Sequence, residues 1–272
     1  MRQTSRARRI DQISAGALSV LGSGRQVAPY TSRYPEFDLA EAYQVAARVC
    51  DLRRARGETP VGRKMGFTNS EVQRKYEIAG PIWNYMFDST VRNLAEIGGS
   101  FSLAGLAEPL IEPEIAFHIA REPNPDMGEN ELLGCVDWVA HGFEIVHSIF
   151  PRWAFGAADA VAGFGLHGAY FLGERRFTSD RPEEWANALS SFTVELTCRD
   201  VIRRGRATNV LGGPIKALGF LVSELDRAGE RLHPGEVVTT GALTEAMPVV
   251  AGQTWSTTLS GISLKGLRLS FS

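Results

Sequence analysis

Cysteine is scarce in this 272-residue chain. Cys50, Cys135 and Cys198 are odd in number and far apart, which excludes a disulfide framework and a thiolate metal site. No stretch approaches the roughly 18 apolar residues in a row that a membrane span requires. Neither sign of charge dominates: 29 Lys and Arg stand against 31 Asp and Glu, and the net charge of -2 supplies no attraction to nucleic acid or to an anionic membrane. Internal repeats and low-complexity tracts are also missing. What remains is a globular composition, 44% hydrophobic and 22% charged, long enough to bury a sizeable core. Unpaired thiols fit a reducing compartment, so a cytoplasmic location is expected.

The stretch Pro109 to Ala120 concentrates the chemistry. As a β-strand it places Ile111, Pro113, Ile115, Phe117 and Ile119 on one face and Glu112, Glu114, Ala116 and His118 on the other. Glu112 and Glu114 then stand roughly 6.5 to 7 Å apart at Cα and aim at one point beyond the sheet. Their repulsion calls for a cation. A hard divalent ion, Mg²⁺ or Mn²⁺, takes carboxylate and water oxygens and leaves positions open for a substrate. The same pattern also describes an edge strand with a solvated polar face, and Pro113, which removes a ladder donor, suits an edge or a bulge. Pattern alone leaves both open.

The N-terminal region reads as helical. Basic Met1 to Arg9 ahead of small-residue Ile13 to Gly24 has the outline of a signal peptide, but Asp11 and the low apolar content count against it. Ile10, Ile13, Leu18 and Leu21 instead fall near one face of a helix ending at Gly22 or Gly24. Asp38 and Glu41 form a capping box for a second helix, in which Ala42, Val45, Ala46, Val49 and Leu52 recur at helical spacing before Arg53, Arg54, Arg56 and Gly57. Residues 1–60 are therefore expected to form a helical arm and residues 61–272 the catalytic domain.

Val61 to Thr68 reads as a strand bearing Lys64, followed by a short helix from Asn69 or Ser70 to about Glu77. Gly80 to Thr90 reads as a loop whose Trp83, Tyr85, Met86 and Phe87 surround Asp88, either walling a pocket or covering a core. Asn130 to Ala140 has helical spacing, Gly142 interrupts it, and Phe143 to Val146 is β-rich, so a strand is expected to deliver Glu144. A continuous helix would leave Glu144 on a polar stripe with Asp137 and His141. Further on, Arg152 to Ala162 reads as helix and Gly165 to Gly173 as strand. Phe192 to Cys198 and Val201 to Arg203 form a hairpin turning at Arg199-Asp200, and Pro214 to Leu225 a helix. Leu232 to Gly241 supplies a turn and a strand, and Thr254 to Phe271 two more strands. Strands gathered behind a helical arm indicate an α+β fold.

Four segments in order carry a resemblance: Gly62-Arg63-Lys64-Met65-Gly66-Phe67-Thr68, the strand with Glu112 and Glu114, the later Glu144, and Leu232 to Gly241. Together with Arg33-Tyr34-Pro35 and Asp38 to Tyr43, they make the chain, from about Ile13 onward, similar to the 2-keto-4-pentenoate hydratase and 4-oxalocrotonate decarboxylase family of the fumarylacetoacetate hydrolase superfamily. The resemblance implies a mixed β-roll core of the fumarylacetoacetate hydrolase C-terminal type with an N-terminal helical extension, assembled into homo-oligomers. It implies a divalent ion held by Glu112, Glu114 and Glu144, with Lys64 and Asp88 in the active site. Its substrates are small 2-oxo or 2-hydroxydienoic acids from the breakdown of aromatic compounds. Phe87, Phe164, Leu166, His167 and Thr240 are expected around the substrate.

The implied chemistry is self-consistent, because a 2-oxo acid chelates one divalent ion through its carboxylate and adjacent oxygen, and such an ion stabilises an enolate. Lys64 would orient the substrate carboxylate or take part in proton transfer, and Asp88 would act as a base or position water. In place of further polar residues found in many hydratases, this chain has Gly163-Phe164-Gly165-Leu166-His167-Gly168, and Ser89 follows Asp88 where relatives often have a second aspartate. The substitution of Phe164 and Leu166 favours a longer or more apolar substrate, and His167 is either an added acid/base group or a structural strand histidine. A metal-dependent hydratase is the leading expectation. The alternatives are a 2-oxo-3-enedioate decarboxylase, which would need a second basic group such as Arg63 or Lys216, an acylpyruvate-type C–C hydrolase, whose histidine and glutamate pair has no equivalent in the arm, and a partner subunit without turnover.

Overall fold

The computed structural model describes residues 2–272, and the side chains of residues 5–272. Two long helices, Arg2–Val20 and Leu39–Arg54, lead the chain, with the single turn of helix Tyr30–Arg33 between them. Asp38 caps the second long one, its Oδ1 accepting from Glu41 N at 2.8 Å; the reciprocal half of the expected capping box is replaced, because the Glu41 carboxylate accepts from Arg9 instead. Both helices bury apolar stripes, Ile13, Ala17 and Leu18 in one and Ala42, Val45, Ala46 and Val49 in the other. These stripes join a single apolar cluster with Ile115, Phe117 and Ile119 of the acidic strand and Leu218, Leu221 and Leu225 of the helix Pro214–Arg227. An ion pair between Arg9 and Glu41, 2.7 Å apart and both buried, ties the two helices together.

The body is a mixed sheet of nine strands against a smaller sheet of five. Along its main path the large sheet runs Ile82–Phe87, Pro60–Gly66, Val237–Thr239, Leu110–Ile119, Val136–Val146, His167–Leu172 and Val91–Asn93. Pro60–Gly66 lies parallel to Val237–Thr239, while the acidic strand is antiparallel to both of its neighbours. Between the sheets, Ile111, Phe143, Ile145 and Phe171 pack on Leu196, Trp255, Leu269 and Phe271. Because side chains alternate along a strand, this packing turns Glu112, Glu114 and Glu144 to the other face.

Four expectations change. Leu110–Ile119 is an interior strand and not an edge. Pro113 is tolerated because it falls between the pairing with Val237–Thr239 and that with Met247–Pro248, where its carbonyl accepts from Leu243 N at 2.9 Å. The supposed loop from Gly80 to Thr90 contains the strand Ile82–Phe87, all six of its residues buried, so it lacks the alternation that marks a half-exposed strand. The helix expected over 130–140 stops at Leu133, and Val136–Val146 is one long strand buried almost throughout. Arg152 to Ala162 is helical only over Ala157–Ala162, preceded by a tight turn at Pro151–Trp153 in which Arg152 and Trp153 have φ of 59° and 55°.

Candidate metal centre and cleft

Strand register assembles the acidic site. Glu112 lies directly opposite Glu144 on the neighbouring strand, and Glu114 lies opposite Gly142. One carboxylate oxygen from each of Glu112, Glu114 and Glu144 falls within 4.8 Å of the others. Gly142 is required here, since a Cβ at that position would stand 2.3 Å from the Tyr170 hydroxyl oxygen. On the same side, Lys64 pairs in register with Thr239 and with Asn84. Its Nζ lies 3.2 Å from Glu144 Oε2 and donates to the Gly165 carbonyl at 3.0 Å. The contact with Glu144 is an ion pair that lacks hydrogen-bond alignment, and Glu144 Oε2 has no other partner.

The remaining oxygens are held from behind. Glu114 Oε2 accepts from Gly241 N at 3.1 Å, while Oε1 is buried without a partner. Glu144 Oε1 lies 2.7 Å from His167 Nδ1, whose ring continues through Nε2 to Thr90 Oγ1 at 2.9 Å. Burial drives the Glu112 carboxyl up to about 7, helped by Glu144 and opposed by Lys64. Burial raises Glu114 as well, followed by the charges of Glu144 and Glu112. Burial would also raise Glu144, but Lys64 and His167 together hold it below its ordinary value. Burial alone would pull the Lys64 ammonium down, yet Glu144, Glu112 and Glu114 outweigh it and leave it raised. The His167 imidazole is lowered by burial against the opposing pull of Glu144.

Three carboxyls meet one ammonium, Glu112 and Glu114 are pushed toward their uncharged forms, and Glu114 Oε1 and Glu144 Oε2 have no hydrogen-bond partner. Ionising all three together calls for a further positive charge, which a metal would supply. The all-oxygen donor set suits a hard divalent cation and fits no soft one. Glu112, Lys64, Gly165 and Leu166 open onto a cleft of about 490 Å³ that runs outward past Phe67, Tyr76 and Trp153.

Over nearly its whole length the chain is similar to curated hydratases. It is 30% identical over 245 residues to the 2-hydroxyhexa-2,4-dienoate hydratase of Comamonas testosteroni, covering 89% of this chain and 90% of that one. The chain belongs to the 2-keto-4-pentenoate hydratase family. A second member, the 2-keto-4-pentenoate hydratase of Paraburkholderia phymatum, is 29% identical over 266 residues, covering 97% and 98%. No family model matches. In fold the chain resembles the 4-oxalocrotonate decarboxylase of Pseudomonas putida solved with magnesium and adipate, with a TM-score of 0.84, 22% identity and coverage of 100% and 98%. It also resembles, less closely, the fumarylpyruvate hydrolase of Pseudomonas aeruginosa solved with Mn²⁺ and pyruvate, with a TM-score of 0.56, 12% identity and coverage of 78% and 88%.

Against this family background, the expected site residues divide. Glu112, Glu114, Glu144 and Lys64 come together, Leu166 lines the cleft, and His167 stands behind Glu144. Asp88 does not join them. It is exposed, its Oδ1 accepts from Thr59 N at 3.0 Å, and it closes the far end of the strand pair in which Lys64 faces Asn84. Phe87 is buried beneath the Arg53 guanidinium, whose carbon lies 3.7 Å from the ring centre. Phe164 packs into the main core and Thr240 bonds back to the Ile115 carbonyl at 3.1 Å, so neither lines the cleft. Arg63 points away from Lys64 into ion pairs with Glu236 and Glu230 at 2.8 and 3.1 Å, and Lys216 is exposed near Glu129. Sequence reasoning missed Thr90, Asn84, Gly241 and the aromatic wall. The one local signal was Gly142, whose missing side chain makes room for the Tyr170 ring.

Proposed function

We propose that the protein is a divalent-metal-dependent hydro-lyase that adds water to a 2-hydroxydienoate, in its 2-oxo-alkenoate form, during catabolism of aromatic compounds. The observation that carries this reading is the convergence of Glu112, Glu114 and Glu144 with Lys64, of which Glu112 and Lys64 line one cleft, in a chain similar to hydratases over nearly its whole length. Mg²⁺ or Mn²⁺ is the proposed ion. Held by the three glutamates, it supplies Lewis-acid polarisation of the 2-oxo oxygen.

The chain's own groups do the rest. Lys64 carries its proton at Nζ, held there by the surrounding carboxylates, and faces the cleft floor where it pairs with the carboxylate of a 2-oxo acid. Gly165 O fixes the ammonium, and Gly165 itself has φ of 62° in a turn with Phe164 at 64° and Leu166 at 65°. Non-glycine residues held in this region cost on the order of 1–3 kcal/mol each, a cost found where a site needs its geometry fixed. His167, bonded to Thr90, fixes which oxygen of Glu144 turns toward Lys64. Leu166, Val146 and Leu110 exclude water from the inner wall.

The decarboxylase alternative called for a basic group beside the substrate's second carboxylate. Neither Arg63 nor Lys216 reaches the cleft, and the basic groups that line its mouth, Lys75, Arg203 and Arg204, are already paired with Glu245 and Glu195, which favours hydration. Homo-oligomeric assembly and a cytoplasmic location belong to the same proposal. The three cysteines, all free and buried, support a reducing compartment, and among the described residues no helix is long and apolar enough to cross a membrane. The test is to incubate the protein and Mg²⁺ or Mn²⁺ with enzymatically generated 2-hydroxydienoates, following ultraviolet absorbance and identifying products. A 4-hydroxy-2-oxo acid is expected; CO₂ release would replace hydration with decarboxylation, and no change across the panel would favour a partner subunit.

A further inference from the structure

One wall of the cleft is aromatic. Phe67, Tyr76 and Trp153 line it, joined nearer the floor by Leu110, Val146 and Leu166. Phe155 backs the three rings, stacked on Tyr76 at 5.5 Å with an interplanar angle of 6°, and 6.3 Å from Phe67 and 6.1 Å from Trp153. The Phe67 and Tyr76 rings meet edge to face at 5.7 Å. Trp153 is pinned by its indole, which donates to the Glu108 carbonyl at 3.1 Å. Phe67, Trp153 and Leu166 all hold positive φ, 54°, 55° and 65°, a region bulky residues avoid unless the surroundings impose it. Three strained backbones thus present large apolar side chains to one space.

That space exceeds the needs of a small acid. The cleft has a volume of about 490 Å³. It falls in the range of about 300–1,000 Å³ that encloses drug-sized ligands. A five-carbon dienoate with its head at Lys64 and Glu112 leaves the aromatic wall facing water.

We propose that the substrate carries an aryl or similarly wide apolar group at the end distant from its 2-oxo acid head, seated against Phe67, Tyr76 and Trp153. This proposal rests on the hydratase reading for the chemistry at the head. A second carboxylate at the far end would have to use Lys75, Arg203 or Arg204 at the cleft mouth. Glu245 already pairs with Arg203 at 3.2 Å and with Lys75 at 3.9 Å, and Arg204 lies 2.7 Å from Glu195. Glu71 also lines the cleft, so three acids offset these three bases, and an acidic tail would have to displace one of them.

The experiment compares 2-hydroxydienoates bearing hydrogen, methyl, phenyl or carboxylate at the distal carbon, in the Mg²⁺-loaded protein. In parallel, calorimetry measures binding of unreactive saturated 2-oxo acids with the same tails. Expected is a kcat/KM for phenyl about 10–100-fold above methyl, in line with apolar pocket discrimination, and a matching order in calorimetry. Trp153→Ala, and separately Tyr76→Ala on its short surface helix, should reduce the phenyl-to-methyl ratio to within about threefold of one. Methyl or carboxylate preferred over phenyl, or a ratio untouched by both variants, overturns the proposal. If no dienoate reacts but the phenyl-tailed 2-oxo acid still binds tightest, the hydratase reading fails while the aryl-binding wall stands.

Discussion

Replacing Lys64 by methionine keeps an unbranched side chain, one atom shorter, and removes the one ammonium that faces the buried Glu114 and Glu144 and the half-buried Glu112. At 3.2 Å from Glu144 Oε2, the pair alone corresponds to about 5 kcal/mol at an effective dielectric constant near 20, and breaking a buried pair from one side costs about 3–5 kcal/mol. The metal-free Lys64→Met protein should therefore lose about 3–5 kcal/mol of stability at pH 8, read from urea unfolding in the presence of a chelator. Folding raises the lysine pKa, so its contribution is complete below its ordinary value of 10.5 and present in full at pH 8. Saturating Mg²⁺ should reverse at least half of the loss, because the ion supplies the positive charge the lysine gave. For the same reason Mg²⁺ should bind this variant about tenfold more tightly while turnover falls by 100-fold or more. Equal destabilisation with and without Mg²⁺, or weaker Mg²⁺ binding, would refute the electrostatic coupling of Lys64 to the glutamate cluster.

Other expectations are simpler to read. Asp88→Asn should change kcat/KM by less than about threefold, since Asp88 is exposed and bonded to Thr59 N at the far end of the strand from Lys64, about 13 Å along the chain; a 100-fold drop in steady-state assays would put it back in the site. Glu112 and Glu114 have folded pKa values raised above the ordinary 4.5, Glu112 to about 7, so their uncharged forms stabilise the metal-free fold in full below pH 4.5, and the Glu112 share is lost as pH rises through about 7. Mg²⁺ displaces the same proton, so its affinity should be about tenfold weaker at pH 6 than at pH 8 in calorimetric titrations, and a flat profile would contradict the assignment. Gly165→Ala should lower stability by about 2 kcal/mol or more in thermal unfolding, because the residue has φ of 62° and a Cβ there would stand 2.8 Å from Asn84 Cβ.

The convergence of the three glutamates on one face was legible in the sequence because it depends on two local facts. Alternation in Leu110–Ile119 puts Glu112 and Glu114 on one side, and Gly142 breaks what would otherwise resemble a helix ahead of Glu144. Residues 130–140 were misleading because Leu132, Leu133, Val136, Val139 and Ala140 satisfy a helical period although the last three lie in a strand buried on both faces. Ile82–Phe87 escaped for the same reason: six consecutive buried residues carry no alternation. Arg63 sits next to Lys64 in sequence, yet alternation sends it to the opposite face and into pairs with Glu230 and Glu236. The aromatic wall was unreadable, since Phe67, Tyr76 and Trp153 come from three separate segments and meet only through the fold.

Titration of the metal-free protein with Mg²⁺ at pH 8, alongside Glu114→Gln and Glu144→Gln, tests the whole account most directly. One divalent ion per chain is expected for the parent protein, with affinity at least about tenfold weaker in each variant and the circular dichroism spectrum unchanged. Undiminished affinity in both folded variants would show that the three glutamates do not hold a metal.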